Sequence, residues 1–478
     1  MALENLQPKE VFHFFEEICN IPHGSGNLQE ISDYLVSFAK ERNLEVIQDD
    51  ELNVIIKAPG TDGYEDKESV ILQGHMDMVA VKEDDADIDM TSDPLKVMTD
   101  GEYVWADKTS LGGDDGIAVA YCLALLDSKD IPHPPLEVVI TTNEETGMFG
   151  ASAIDLSSLK GRKLINIDNE EEGVFITSCA GGARVNSKFS VEREPAQGIK
   201  ARVEVSGLLG GHSGNMIHLG RGNANIILAR ALTQALDKVG FSLVSIQGGD
   251  ADNAIPANSS AEIVIGSDDL DTFKESIAGS EADIKDELAG KDDGLKITVS
   301  DLGQSEENAI TAKDAARVLS FIYVLPDGVQ AMSADVEGLV ETSLNLGVLR
   351  TEGDLVTTAQ AVRSSVETSK NFLIKKVLLL AERYGADAEV NSAYPGWKFN
   401  PKSELREHLV AVYKSLYGKD PELLAIHAGL ECGLLSEKIE GLDCISIGPD
   451  MQDIHSVKEK LSVKSAGNVW EFLKAALK

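Results

Sequence analysis

The most constraining stretch is Val70–Val79, in which a short apolar run ends in Gly74 and then offers His75 and Asp77 two residues apart. Such a run is typical of a buried strand, and it predicts that the strand's carboxyl end places His75 at a metal ion. Asp77 can then bond the second ring nitrogen of His75, which fixes the tautomer and strengthens the ligand. A surface histidine beside a loop acid gives the same pattern, so the rest of the chain must decide.

Length, charge and cysteine content limit the classes of function. The 478 residues suggest two or three domains. The net charge of −37 argues against nucleic acid and anionic lipid as partners. No apolar run approaches the ~20 residues of a membrane span, and the first residues do not resemble a signal peptide. The five scattered cysteines, without a CxxC pair, favour a reducing cytoplasm over a disulfide framework or a thiolate zinc site.

Two further predicted strands lead into acidic residues. The apolar run 136–142 precedes Glu144 and Glu145, and the run 164–167 precedes Asp168. Adjacent acids leaving a buried strand are costly unless a partner uses them. Neighbouring side chains point in different directions, so one acid can bind a metal while the other reaches a water molecule. Because binding sites in open α/β sheets form at the carboxyl ends of strands, this pattern indicates a carboxylate-bridged metal pair.

The segment Gly112–Gly116 adds Asp114 and Asp115 at the start of a helix of small residues. The helix dipole favours an acid there even without a metal. The glycines also allow close approach of a phosphate, but the lysine of a P-loop is missing. Near the other end of the chain, His455 follows a strand and precedes the last helix. It is either the last ligand of the site that begins at His75 or a residue near a helix cap.

The middle of the chain differs from its two ends in its pattern of apolar and polar residues. From Arg184 to about Ser392, alternating strand patterns and helical periods give this block its own apolar faces. We therefore predict an α/β catalytic domain, with a mixed sheet flanked by helices, built from residues 1–184 and 393–478. An α+β lid domain of residues 185–392 is inserted between the two parts.

These motifs resemble the two-zinc metallopeptidases of the carboxypeptidase G, carnosinase and succinyl-diaminopimelate desuccinylase family. The resemblance spans almost the whole chain, with the motifs in the family's order, and narrows to its Xaa-His-type dipeptidases. The residues that carry it are His75-Met76-Asp77, Gly113-Asp114-Asp115, Glu144-Glu145, Asp168, Gly211-His212-Ser213-Gly214, the run from His427 to Gly433, and His455.

The resemblance implies two divalent metal ions, zinc first, with cobalt or manganese also suited to these ligands. Many relatives have a lysine two residues beyond the bridging aspartate, where this chain has Gly116, so Asp115 remains the alternative bridge. The implied ligands are His75 and Asp168 for one ion, Glu145 and His455 for the other, and Asp114 as the bridge.

The resemblance also implies a mechanism in which Glu144 is the general base toward a water held between the ions. Asp77 supports His75, and His212 of the lid stabilises the charge that develops on the carbonyl oxygen. The lid would close to bring its residues to the metals, with hinges near Gly182 and Ser392.

Four residues are candidates for binding the substrate. Arg363 suits the terminal carboxylate because a guanidinium presents a fork of donors, although a surface ion pair would explain it nearly as well. Asn253 is a candidate for the same end of the substrate. Gly429 and Glu431 are candidates to line the pocket for its amino end, but an acid at a helix start accounts for Glu431 equally.

The function predicted is hydrolysis of unblocked dipeptides by a cytoplasmic metallopeptidase, with dipeptides that end in histidine as candidate substrates. The expected partner is a small peptide substrate, and the resemblance implies a homodimer formed through the lid. One alternative is an aminoacylase or other amidase with the same two-metal centre. The other is a non-catalytic relative that binds peptides or metals.

Overall fold

A computed structural model describes residues 2–478, and the chain divides into two compact units. The first unit consists of Met1–Ser178, Phe399–Ala425 and Leu430–Lys478. The second consists of Cys179–Lys398 and Ile426–Gly429. Both ends of the chain therefore belong to the first unit.

Helices and strands are interspersed along the whole chain. Up to residue 179 they are α1 (Lys9–Cys19), α2 (Gln29–Glu41), β1 (Glu45–Gln48), β2 (Val54–Ala58), β3 (Val70–His75), β4 (Val97–Thr99), β5 (Tyr103–Ala106), α3 (Gly113–Asp127), β6 (Leu136–Thr141), α4 (Phe149–Ala153), β7 (Lys163–Asn166) and β8 (Val174–Cys179). From 181 to 394 they are β9 (Gly181–Ser190), β10 (Arg193–Ser206), β11 (Gly211–His212), a 3-10 turn (Ile217–Leu219), α5 (Ala224–Leu236), β12 (Phe241–Gly248), β13 (Ala254–Ile255), β14 (Ser259–Ile265), α6 (Leu270–Glu287), β15 (Lys296–Ile310), α7 (Ala312–Val324), β16 (Gly328–Met332), β17 (Val340–Glu352), β18 (Leu355–Ser364), α8 (Glu367–Arg383) and β19 (Asp387–Tyr394). The remainder are α9 (Glu404–Tyr417), β20 (Glu422–Ile426), α10 (Glu431–Lys438), β21 (Asp443–Ser446), β22 (Met451–Gln452), β23 (Lys460–Ser462) and α11 (Val463–Ala476).

The first unit is built on a mixed sheet with strand order β1-β2-β6-β3-β7-β21-β8-β20. Its central strands β6, β3, β7 and β21 are parallel neighbours. These strands are short and largely apolar, as expected for strands covered on both faces. Their carboxyl ends share one edge of the sheet, and three predicted ligands, His75, Glu145 and Asp168, lie at or just beyond the ends of β3, β6 and β7.

Helix α3 packs against β3 at this edge, and its residues are buried from Gly113 to Leu126. A helix that is apolar all round has to be a core helix. The close approach requires Gly74, because a Cβ there would lie 2.4 Å from Asp115 Oδ2 and 2.6 Å from Ala118 Cβ. A Cβ at Gly116 would already contact Phe15 and Ile18 of α1, so this side of α3 has no room for a long lysine side chain.

The loop before α3 is held by a buried glutamate from the end of the chain. Glu459 Oε2 accepts the backbone N–H groups of Leu111 and Gly112 at 2.8 and 3.1 Å. Its Oε1 accepts those of Gly113 and Asp114 at 2.8 and 3.4 Å. These are N–H groups that the start of a helix leaves without partners. Glu459 therefore fixes the backbone that carries Asp114.

The second unit contains a sheet with strand order β14-β10-β15-β12-β17-β18-β9-β19, in which β16 also pairs with β17. Its pairings are antiparallel. Buried side chains from these strands and from α5 to α8 form a core of their own. The fold class expected from the sequence, an α/β unit with a mixed sheet and an α+β unit, is confirmed.

The predicted domain boundaries differ from those of the compact units. The boundary at 184/185 falls inside β9, and that at 392/393 falls inside β19, which pairs with β9. The predicted boundaries fall in the middle of these strands because the alternation of apolar and polar residues can be recognised only after several residues of a strand. The segment Ile426–Gly429 carries no such signal, and the sequence did not predict its place in the second unit.

Within residues 2–478, no helix has the length and apolarity that crossing a bilayer demands. The five cysteines are buried and unbridged.

The role of Glu459 in the fold is testable. We expect Glu459→Ala to lower the free energy of unfolding by about 2–4 kcal/mol, because buried backbone N–H groups lose their acceptor. Urea denaturation measures the change, and Glu102→Ala at an exposed site is the control, with an expected change within about 0.5 kcal/mol. Equal urea midpoints for the two variants would contradict this role of the carboxylate.

Candidate metal centre

The carboxylate of Asp114 lies between two imidazoles from opposite ends of the chain. Its Oδ1 is 3.1 Å from His75 Nε2, and its Oδ2 is 3.0 Å from His455 Nε2. His75 is the last residue of β3, and His455 lies in the turn between β22 and β23. Each carboxylate oxygen thus faces a different histidine, which is the arrangement that a bridging ligand needs.

The other two predicted ligands complete this cluster. Glu145 Oε1 lies 2.9 Å from His455 Nε2, and Asp168 Oδ1 lies 3.6 Å from His75 Nε2. Ligand atoms of His75, Asp114 and Glu145 lie within 4.8 Å of one another, as do those of His75, Asp115 and Asp168. The structure therefore brings together all five residues that the sequence predicted as ligands.

The chemistry of the cluster fits divalent cations. Glu145 Oε1 is buried, and no hydrogen bond satisfies it although His455 is near. Burial, opposed by His75 and reinforced by neighbouring carboxylates, raises the pKa of Asp168 to about 6. Burial and the carboxylates of Asp114 and Asp168 raise the pKa of Glu170 to about 7. Crowded carboxylates and imidazole nitrogens are a donor set that suits zinc, cobalt or manganese.

Asp114 and Asp115 have different surroundings. Asp115 Oδ2 accepts the backbone N–H of His75 at 3.1 Å, and its Oδ1 is buried without a hydrogen-bond partner. Burial, above all, raises the pKa of Asp115. Asp114 has φ −85° and ψ 106°, outside the helical region, and its side chain points to the two histidines. This geometry favours Asp114 over Asp115 as the bridge.

The predicted contact between Asp77 and His75 is only partly correct. The acceptor nearest to His75 Nδ1 is the backbone carbonyl of Asp77 at 2.9 Å, whereas the Asp77 carboxylate lies at 3.6 Å, too far for a hydrogen bond. The carboxylate instead accepts the N–H groups of Glu144 at 3.0 Å and Glu145 at 3.3 Å, and the Ser25 hydroxyl at 2.8 Å. The sequence could not show this division of roles, because Asp77 supplies both the backbone carbonyl that faces His75 and the carboxylate that holds the Glu144 loop.

Glu144 lies in the loop that leaves β6, and Asp77 holds its backbone. Burial raises the pKa of Glu144 to about 9, with His75 acting in the opposite direction and Asp168 adding to the rise. Bound cations would lower this pKa, since positive charge favours the carboxylate form. A buried carboxyl group whose proton affinity depends on nearby cations is suited to accept a proton during a reaction.

The remaining candidates have defined surroundings within their own units. In the second unit, His212 Nδ1 accepts the N–H groups of Gly214 and Asn215 at 3.2 and 3.1 Å, so its proton resides on Nε2. Arg363 and Asn253 line one cavity of that unit. Gly429 packs against the ring of Tyr394, since a Cβ on Gly429 would lie 2.8 Å from it.

Glu431 is buried in the first unit at the start of α10. Its Oε2 accepts hydrogen bonds from Gln73 at 2.5 Å and from Thr141 at 2.7 Å, while its Oε1 has no hydrogen-bond partner. Burial raises its pKa to about 7. A role in binding the substrate's amino group stays a prediction.

Sequence reasoning missed Glu459 and Glu170. Glu459 acts through backbone N–H groups, for which no side-chain pattern exists. Glu170 stands two residues after Asp168, so its position beyond a ligand-bearing strand was an available signal.

Comparison with known proteins identifies relatives over the full length. The chain is 36% identical over 478 residues to a cytosol non-specific dipeptidase of Escherichia coli, covering 100% of this chain and 98% of the relative. It matches the crystal structure of an aminoacylhistidine dipeptidase from Vibrio alginolyticus with a TM-score of 0.95 and 37% identity, over 100% and 98% of the two chains. An aminopeptidase from Bacillus cereus shares the fold, with a TM-score of 0.55 and 18% identity over 99% and 98%.

A family model for peptidases matches residues 71–478, which include every predicted ligand. The resemblance expected from the sequence is therefore confirmed for the family. By this match and by the full-length relative, the chain belongs to peptidase family M20/M25/M40.

Proposed function

We propose that this chain is a metal-dependent dipeptidase that hydrolyses unblocked dipeptides, including those with a C-terminal histidine. The observation that carries the proposal is the Asp114 carboxylate between His75 and His455, with Glu144 beside the cluster. The names of the two full-length relatives, both dipeptidases, support the substrate class. The scattered cysteines, which form no CxxC pair, and the relative named as cytosolic support a cytoplasmic location.

The five clustered side chains would hold two divalent cations, with Asp114 shared between them. His75 and Asp168 would hold one cation, and Glu145 and His455 would hold the other. When bound, such cations polarise the peptide carbonyl and lower the pKa of water toward neutrality. The native metal proposed is zinc, and cobalt and manganese suit the same ligands.

Glu144 is the proposed general base. It accepts a proton from the attacking water and returns it to the amine nitrogen of the leaving group. Asp77 acts through position, because its carboxylate accepts the N–H of Glu144 and so fixes the loop. Asp77 therefore positions Glu144 through its carboxylate and His75 through its backbone carbonyl.

His212 is the proposed donor to the carbonyl oxygen on which negative charge develops. Two backbone N–H groups occupy its Nδ1, which leaves Nε2–H free to donate. Burial, followed by the charge of Arg363, lowers the pKa of His212, so the imidazole is neutral near pH 7. A neutral imidazole with a fixed tautomer presents its single N–H donor at a defined position.

The proposed assembly is a homodimer formed through the second unit. Exposed apolar side chains of that unit, among them Leu209, Met216 and Met332, are candidates for its contact surface. Sedimentation of the purified chain measures the assembly, and a mass of one chain would exclude it.

The substrate class is tested with a metal-loaded panel. We expect hydrolysis of free dipeptides such as alanyl-histidine and little or no hydrolysis of N-acetyl amino acids. Chromatographic detection of released amino acids measures both. Preference for the N-acylated compounds would instead identify an aminoacylase, and inactivity on all compounds would favour a binding protein.

The adjacent glutamates provide a matched pair of variants. We expect Glu144→Gln to keep its metal but lose about 10²-fold to 10⁴-fold in kcat, because the proton acceptor is removed. Glu145→Gln should lose metal as well as activity. Metal analysis beside kinetics separates the two, and substantial turnover by Glu144→Gln would exclude Glu144 as the base.

Metal dependence is tested by chelation and by removal of a ligand. A chelator should abolish hydrolysis, and added Zn²⁺, Co²⁺ or Mn²⁺ should restore it. His75→Ala should contain less metal per chain than the wild type, whereas His13→Ala, at an exposed histidine, should be unchanged. An unchanged metal content in His75→Ala would refute its role as a ligand.

A further inference from the structure

A cavity of about 220 Å³ in the second unit is lined by polar side chains. Arg363 and Asn253, both predicted to bind substrate, line it together with Arg184, Asp252 and Tyr394. Tyr394 was not singled out in the sequence. Its contacts indicate that it completes the site.

The cavity holds positive charge that no carboxylate neutralises. Arg184 forms an ion pair with Asp252, the acid of the cavity. Across residues 2–478, by contrast, the guanidinium of Arg363 has no carboxylate within 4 Å, and its Nε is buried without a hydrogen-bond partner. A guanidinium that lines a cavity and has a buried nitrogen without an acceptor is incompletely satisfied by the protein. It marks a place for an anion.

The positive charge of Arg363 also affects the pKa of a nearby histidine, His427. The pKa of His427 is lowered to about 4, first by burial and then by Arg363. Both effects keep His427 neutral, so it adds no positive charge near Arg363.

Tyr394 is held over Arg363 by the backbone around it. The pairing of β19 with β9 shifts between Asn391 and Tyr394, and Ser392 has φ 51°, so a bulge redirects the end of the strand. The tyrosine ring lies against Gly182 and Gly429, where an added Cβ would come within 2.6 and 2.8 Å of it. The buried ammonium of Lys370 donates to the Tyr394 carbonyl.

The hydroxyl of Tyr394 accepts a hydrogen bond from Arg363 Nη1 at 3.3 Å. A phenol that accepts one hydrogen bond keeps its own O–H to donate. The guanidinium and this O–H are therefore two donors beside one cavity, and a carboxylate has two oxygens to accept from them.

We propose that Tyr394 is a further specificity residue of this site: it orients Arg363, the predicted partner of the substrate's carboxylate, and makes the site select peptides with an unblocked C-terminus. This inference rests on the proposed dipeptidase function. Arg363 supplies the charge. Tyr394 orients the guanidinium and adds the second donor, which a C-terminal amide leaves unused because an NH2 group replaces one of the two acceptor oxygens.

The test measures binding without turnover. The dissociation constants of alanyl-histidine and of its C-terminal amide are determined by calorimetry for metal-loaded Glu144→Gln protein, with and without Tyr394→Phe. We expect Tyr394→Phe to weaken binding of the free dipeptide about tenfold or more and to leave binding of the amide nearly unchanged. Tyr323→Phe, at an exposed tyrosine of the same unit, is the control and should change neither constant. In wild-type protein the same substitution should raise KM for the dipeptide more than it lowers kcat.

Three results would overturn the inference: no effect of Tyr394→Phe, an equal effect on dipeptide and amide, or no binding of the dipeptide in the Glu144→Gln background. Failure of the proposed function looks different. In that case wild-type protein does not hydrolyse dipeptides, yet the variant pair still binds the free carboxylate with the predicted dependence on Tyr394.

Discussion

The proposed metal centre depends on one buried carboxylate that is not among its proposed ligands. Glu459 accepts backbone N–H groups from four consecutive residues and so sets the path of the chain into α3. Asp114 is the last of those residues, and Glu459 itself stands four positions after His455. One side chain thereby ties the segment of the proposed bridge to the segment that carries His455, the proposed last ligand.

Parallel strands supply the rest of the geometry. β3, β6 and β7 run side by side, so the residues that follow them emerge at one edge, where His75, Glu145 and Asp168 meet. Gly74 lets α3 approach the same edge. Asp77 then connects two of these elements, with its carbonyl on His75 and its carboxylate on the loop of Glu144 and Glu145. Few contacts thus hold many acids in a small volume.

Features with a local pattern could be predicted from the sequence. Apolar runs that lead into a histidine or an acid predicted the strands β3, β6 and β7 and the side chains beyond them. The choice between Asp114 and Asp115 could not be made, because it depends on non-helical dihedral angles at the start of α3. Glu459 and Tyr394 were missed for a related reason: both act through backbone groups or through a residue distant in the chain. The predicted domain boundaries differ from those of the compact units because the pairing of β9 with β19 extends beyond the residues at which the sequence pattern changes.

The order of strands in the first sheet has a consequence for how the protein is made. β21, from near the end of the chain, lies between β7 and β8, which are synthesised long before it. While the nascent chain is still on the ribosome, both of those strands have an unpaired edge, and such edges attract other strands. The sheet is complete only after β21 has emerged, and the residues that follow β21 include His455 and Glu459. A truncated product would therefore lack both a complete sheet and a complete metal site, which makes it a target for chaperones and proteases.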